Sequence, residues 1–187
     1  MVYNEQVKNN ITVMDNTIKY DEFVKLISNG DTFFITTPFN LMKIHTYLSY
    51  IIRKIAKTPN HCAVYFDGSL YGAKQQGVTK LPLYDEIKGQ YVTVKRKIGD
   101  DVVEKKRWCE KMLGRKYDVK SLIWYELLLY ITGKWYGKTG ADAENEFFCY
   151  EYGADANIYE RHDRIIGQEF FGWVKFRTVV ENAMVIE

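Results

Sequence analysis

Two side chains in this sequence have the chemistry of a covalent catalyst. Cys149, in NEFFCYEYGADANIY, stands where a loop passes into a helix, with Asn145 upstream as a cap. A thiol at a helix N-terminus feels the positive end of the backbone dipole, which favours the attacking thiolate form. Glu144, Glu146 and Glu151 oppose that effect, so activation calls for a base. Gly153, Ala154 and Ala156 follow, small residues that let a helix lie close against a sheet. His61 opens a strand directly after the Thr58-Pro59-Asn60 turn, which puts its ring at the edge of a sheet. An imidazole there can take a proton from a thiol and hand it to a leaving group. Taken singly, each residue has a plainer reading: a buried structural cysteine and a solvent-facing strand histidine. His45, inside an amphipathic stripe, reads as structural, and His162, among charges, as surface.

The elements that must position these residues follow from hydrophobic period. Residues 20–29 place Phe23, Val24 and Ile27 at helical spacing before Gly30. TFFITT (32–37) is a buried strand by its aromatic and β-branched content. Leu41, Ile44, Leu48, Ile51, Ile52 and Ile55 form the stripe of a helix ended by Thr58-Pro59. HCAVYF and SLYGAK around Asp67-Gly68 predict a hairpin. LPLYDEI near Pro82 is a short helical turn, QYVTVKRKI (90–98) a half-buried strand, and 101–113 a surface helix closed by Gly114. Residues 119–132 predict a more apolar helix, about 148–157 the helix of Cys149, and 173–179 a final strand. The order is an α+β arrangement of helices flanking an antiparallel meander, read as one domain over 1–187.

Composition narrows the function. The 187 residues carry 26 basic and 24 acidic side chains, a net charge of +2, too small an excess to predict nucleic-acid binding. Cys62, Cys109 and Cys149 cannot all pair within the chain and form no close Cys-x-x-Cys, which points to a reducing compartment. The polar start MVYNEQVKNN lacks a signal-peptide layout, so the expected location is cytoplasmic. The longest apolar stretch, Leu122 to Ile131, is too short to span a bilayer core of about 30 Å. No spacing of Cys62, His61, Cys109 and Cys149 matches a standard zinc pattern, and neither metal nor cofactor is expected.

GDTFFITT, an amphipathic helix, NHCAVYFDG, GVTKLPL, LGRKYD and FFCYEY occur in an order that resembles the circularly permuted NlpC-type papain-fold cysteine hydrolases, the YiiX-like group, over about residues 30–160. The resemblance implies an antiparallel sheet or half-barrel packed on helices, with the nucleophile at a helix N-terminus. It implies Cys149 as nucleophile and His61 as base; the histidine precedes the cysteine, as the permuted order requires. Gly30-Asp31 looks like the pair that begins the family's first strand. Tyr117 looks like the tyrosine that leans over the cysteine and donates to an oxyanion, beside the Cys149 N–H. Tyr117 as a core aromatic is the plainer alternative. Tyr150 replaces the serine of the family's Cys-Ser-Glu pattern, and Glu151 keeps its acid.

Two departures stand out. The family orients its histidine with a polar residue, often glutamate, from the strand after the hairpin, but SLYGAKQQ holds no carboxylate. Tyr71 or Gly72 falls near that place, with Gln76 further on. Val64 and Cys62-Ala63 depart from the usual Gly-Ile region. Three readings follow: hydrolysis of an amide in a peptide or cell-wall-type substrate; lipid or thioester acyl chemistry on the same dyad; or a catalytically inactive binding module. The second is motivated by the apolar 121–131 segment, which also leaves room for peripheral membrane contact. The third has two supports, the missing acid and a basic stretch between Lys95 and Lys120 with ten cations against five carboxylates.

Overall fold

In the computed structural model the described residues are 17–38, 59, 61–117, 132, 146–147, 149–158 and 170–187. The expected helices over 41–55 and 119–132, His45, His162 and the Asn145 cap lie outside them, Thr132 excepted. Among the described residues nine strands run in chain order: β1 (Thr17–Lys19), β2 (Thr32–Thr36), β3 (His61–Phe66), β4 (Ser69–Lys74), β5 (Gly77–Pro82), β6 (Tyr91–Lys97), β7 (Lys116–Tyr117), β8 (Glu146–Phe147) and β9 (Phe176–Ile186). The described helices are α1 (Tyr20–Phe23), α2 (Leu83–Ile87), α3 (Val102–Lys111) and α4 (Cys149–Ala156).

Seven strands make one sheet in the order β1-β9-β6-β2-β3-β4-β5, and β7 pairs with β8 separately. The architecture is α+β, but the expected antiparallel half-barrel is corrected to a mixed sheet that does not close. β1 runs parallel to β9, through Thr17↔Met184 to Lys19↔Ile186, while the other pairs of the large sheet are antiparallel. β1 and β5 remain as opposite edges.

The hairpin forms where the sequence places it. Asp67 and Gly68 both have positive φ, 48° and 78°, the backbone of the two-residue turn whose twist matches its strands. β5 continues the meander, pairing with β4 from Ser69↔Pro82 to Lys74↔Gly77. Leu83 and Ile87 of α2 are buried, each apolar side chain contributing about 1.5–3 kcal/mol of hydrophobic stabilisation. The Asp101 carboxylate accepts the Glu104 N–H at 3.0 Å and caps α3.

Strand alternation divides the core in two. Phe33, Ile35, Ala63, Leu70, Val92 and Val94 share one face with Phe23, Leu83 and Ile87. Phe34 and Cys62 pack with Cys149, Tyr150, Ala154 and Phe170, and Val64, Phe66, Tyr71 and Ala73 with Cys109, Tyr152 and Ala156. Period two along β2, β3 and β4 makes the last two clusters the opposite face, the one covered by α4.

Each face carries a buried polar anchor. Asp31 is fully buried on the first, and its carboxylate accepts Arg96 Nε at 2.7 Å, Arg96 Nη2 at 2.8 Å and the Ser28 N–H at 2.8 Å. On the second, Lys105 Nζ donates to Asn157 Oδ1 at 2.8 Å and to the Gly30 carbonyl at 3.0 Å. Asn157 Nδ2 donates to the Gly153 carbonyl at 2.7 Å and to Thr32 Oγ1 at 3.0 Å. Lys105 also pairs with Asp100. These bonds tie α4 to β2 and α3.

Candidate functional site

Cys149 is the first residue of α4 and is 5% exposed. The helix lies on β3 because position 153 has no side chain: a Cβ there would stand 2.4 Å from Cys62 Sγ. That is closer than packed atoms tolerate, so the small residues after Cys149 do what their sizes suggest. Cys149 lies one helical turn before Gly153 and shares the buried cluster of Cys62. At the start of α4, Tyr150 Oη donates to the Pro59 carbonyl at 2.7 Å. This bond fixes the Cys149 end of the helix to the chain that enters β3.

Tyr117 is brought to the same region. β7 and β8 are parallel with Tyr117 opposite Phe147, two residues before Cys149. Tyr117 is partly buried and packs against both clusters on the α4 side. The two-stranded β7-β8 ribbon that delivers it had no sequence signal, since two residues are too few to show a period.

His61 is placed differently. In the register of β2 with β3, Ile35 faces His61 and Phe34 faces Cys62. Directly paired residues share a face, so His61 leaves the sheet with Ile35 and Ala63, and Cys62 leaves it toward α4. The position of the ring agrees: a Cβ on Gly72 would meet His61 Nε2 at 3.2 Å and Ala63 Cβ at 3.1 Å. The expected meeting of imidazole and thiol across one groove is therefore corrected. The two residues stand at the same end of β3, but their side chains point to opposite sides of the sheet.

The surroundings of the imidazole also differ from those of a general base. His61 keeps part of its surface in solvent, yet packing around the ring lowers its pKa from 6.5 to about 3, with the Lys74 cation adding to the effect. Lys74 pairs with Glu86 of α2. Gly72, near the place expected for an orienting residue, contributes no side chain. The family's acid would favour an imidazolium, whereas a lysine disfavours it.

The other cysteines are poor nucleophiles. Burial pushes the Cys62 thiol well up, and the neighbouring Cys149 adds to the rise against an opposing effect of Lys105. Burial pushes Cys109 up to about 12 despite the opposing effects of the nearby Tyr152 hydroxyl and Lys105. Glu151 is 5% exposed within α4. Among the described residues no group of three or more His, Cys, Asp or Glu is arranged to hold a metal ion.

Much of the basic stretch is neutralised internally. Arg96 pairs with Asp31, Lys97 and Lys105 with Asp100, Lys106 with Asp67, and Arg107 with Glu104. Counting charges within the stretch overstates the free positive surface, because Asp31 and Asp67, which take Arg96 and Lys106, lie outside it. Compared with models of known protein families the chain matches none, and no curated protein matches it either.

Proposed function

We propose that the chain is a permuted papain-type protein that holds a peptide-like or acyl-bearing ligand beside Cys149 and Tyr117 without cleaving it. One observation carries this reading: the β2-β3 register sends His61 and Cys62 to opposite faces, and Cys149 lies with Cys62. With its side chain on the other face, His61 is not placed to take the Cys149 proton, and a thiol whose proton is not removed is a weak nucleophile. Lys74 near the ring and the bare Gly72 support the same reading. Tyr117, Phe171 and Phe176, partly buried against the Cys149 cluster, offer aromatic surface to a ligand on the thiol side. A cytoplasmic location is proposed with it, from the three free cysteines. Among the described residues no helix is long and apolar enough to cross a membrane.

Turnover of peptide and short-chain ester substrates by the parent and by Cys149→Ala tests this reading. Equal background rates are expected, and activity that disappears with the thiol overturns the proposal.

A second reading, the Cys-His hydrolase, is favoured by the Tyr150–Pro59 hydrogen bond and the Tyr117–Phe147 register, which gather the start of α4, Tyr117 and the start of β3. In it Cys149 Sγ attacks an amide carbonyl, and His61 takes the thiol proton and returns it to the leaving amine. Water then releases the acyl group. It requires the first residue of β3 to turn its side chain to the other face. The lipid or thioester variant rests on the 121–131 segment, outside the described residues.

A further inference from the structure

We propose that the loop end formed by the β6-α3 turn and the start of β9 docks on an anionic membrane surface. Ile98 is 65% exposed and Val174 88% exposed. They lie where the β6-β9 ladder ends: Lys97 pairs with Phe176, and the Ile98 N–H donates to the carbonyl of Lys175, the residue after Val174, at 2.9 Å. Val103, 72% exposed, follows in the first turn of α3. Burying such aliphatic side chains in an acyl layer is favourable, and leaving three of them in water is not.

What surrounds them selects the occupant. Trp173 is half-buried, with Lys175 Nζ 5.4 Å and Lys97 Nζ 5.9 Å from its ring centre. Lys95 Nζ lies 3.9 Å from the ring centre of Phe171. Lys175, just before β9, and Arg177, at its start, are exposed. The carboxylates at this end have partners: Asp100 takes Lys97 and Lys105, Glu104 takes Arg107, and the exposed Asp101 caps α3. Exposed aliphatic tips, a half-buried tryptophan next in the chain to Val174, and cations near its ring match the mix of acyl boundary and anionic headgroup. A stable protein interface needs about 800 Å² from each partner, far more than three aliphatic tips supply, whereas a lipid surface needs only protruding tips.

The test is co-sedimentation of the full chain with phosphatidylcholine vesicles with and without phosphatidylserine, at low and high salt. The expected result is binding to the serine-containing vesicles alone, weakened by salt. The pair Ile98→Ser and Val174→Ser should reduce affinity about tenfold, and Lys175→Glu with Arg177→Glu should abolish binding. These positions are exposed, and an unchanged circular dichroism spectrum checks that each variant is folded. Absence of binding, or binding that survives both variants, overturns the proposal. So does a concentration-dependent rise in mass without lipid that disappears in the Ile98/Val174 variant, which would make a second copy the occupant.

Discussion

The two faces of the central sheet begin from the same strands and end in different chemistry. The face bearing Phe33, Ile35 and Ala63 is a hydrocarbon layer closed by α1, α2 and β9, and His61 is caught at its margin beside Gly72 and Lys74. The other face carries Phe34 and Cys62 under α4, with Cys149 at the head of the helix and Tyr117 alongside. Residues 61 and 62 are neighbours in the chain and strangers in space. Nearness in sequence to a site says little about a strand residue until its parity is known.

The anchors of the two faces give the largest effects by which this comparison can be broken. Asp31→Ala leaves the Arg96 guanidinium without its carboxylate and should cost about 3–5 kcal/mol, read by chemical denaturation. Asn157→Ala on the α4 face removes an acceptor from Lys105 and should cost less, about 1–3 kcal/mol. If Asn157→Ala were the more damaging, the ranking of the two anchors would be reversed.

Gly153→Val forces a side chain into Cys62 Sγ and should destabilise by about 1–3 kcal/mol, and adding Cys62→Ala should recover part of the loss. A thermal midpoint unchanged by Gly153→Val would mean that α4 does not sit on β3 as described.

Smallest near neutral pH, and growing as the solution is acidified, is the effect of His61. His61 is neutral in the fold with a pKa near 3, against 6.5 when unperturbed. The unfolded chain therefore binds a proton that the folded chain refuses as pH falls from about 6.5 toward 3. Its contribution to stability is complete above the upper value and declines through that window. His61→Asn should flatten the acid side of the stability profile. An unchanged slope would mean that the ring is not held neutral.

Much of the fold was legible where local chemistry dictates structure. The Asp67-Gly68 hairpin, β2, β6, α3 and α4 follow from period, turn residues and caps. Residues 20–29 gave only the four-residue α1, and β5 was missed because Gly77 and Pro82 disguise a strand whose support is pairing with β4. The parallel β1-β9 contact and the β7-β8 ribbon depend on partners more than 29 positions away, which no local pattern records.

At the site, Cys149 at a helix start and the small residues after it could be read from sequence, as could the absence of a carboxylate in the hairpin. The side to which His61 points could not, since HCAVYF is apolar on both parities and offers no polar alternation to fix its register.

The most direct measurement is the rate of Cys149 alkylation by iodoacetamide as a function of pH, in the parent and in His61→Asn, with the modified cysteine identified by mass spectrometry. A thiol that His61 does not face predicts slow modification that rises through the alkaline range and is the same in both proteins. Rapid modification at neutral pH, with an inflection in the imidazole range that vanishes in His61→Asn, would contradict the account.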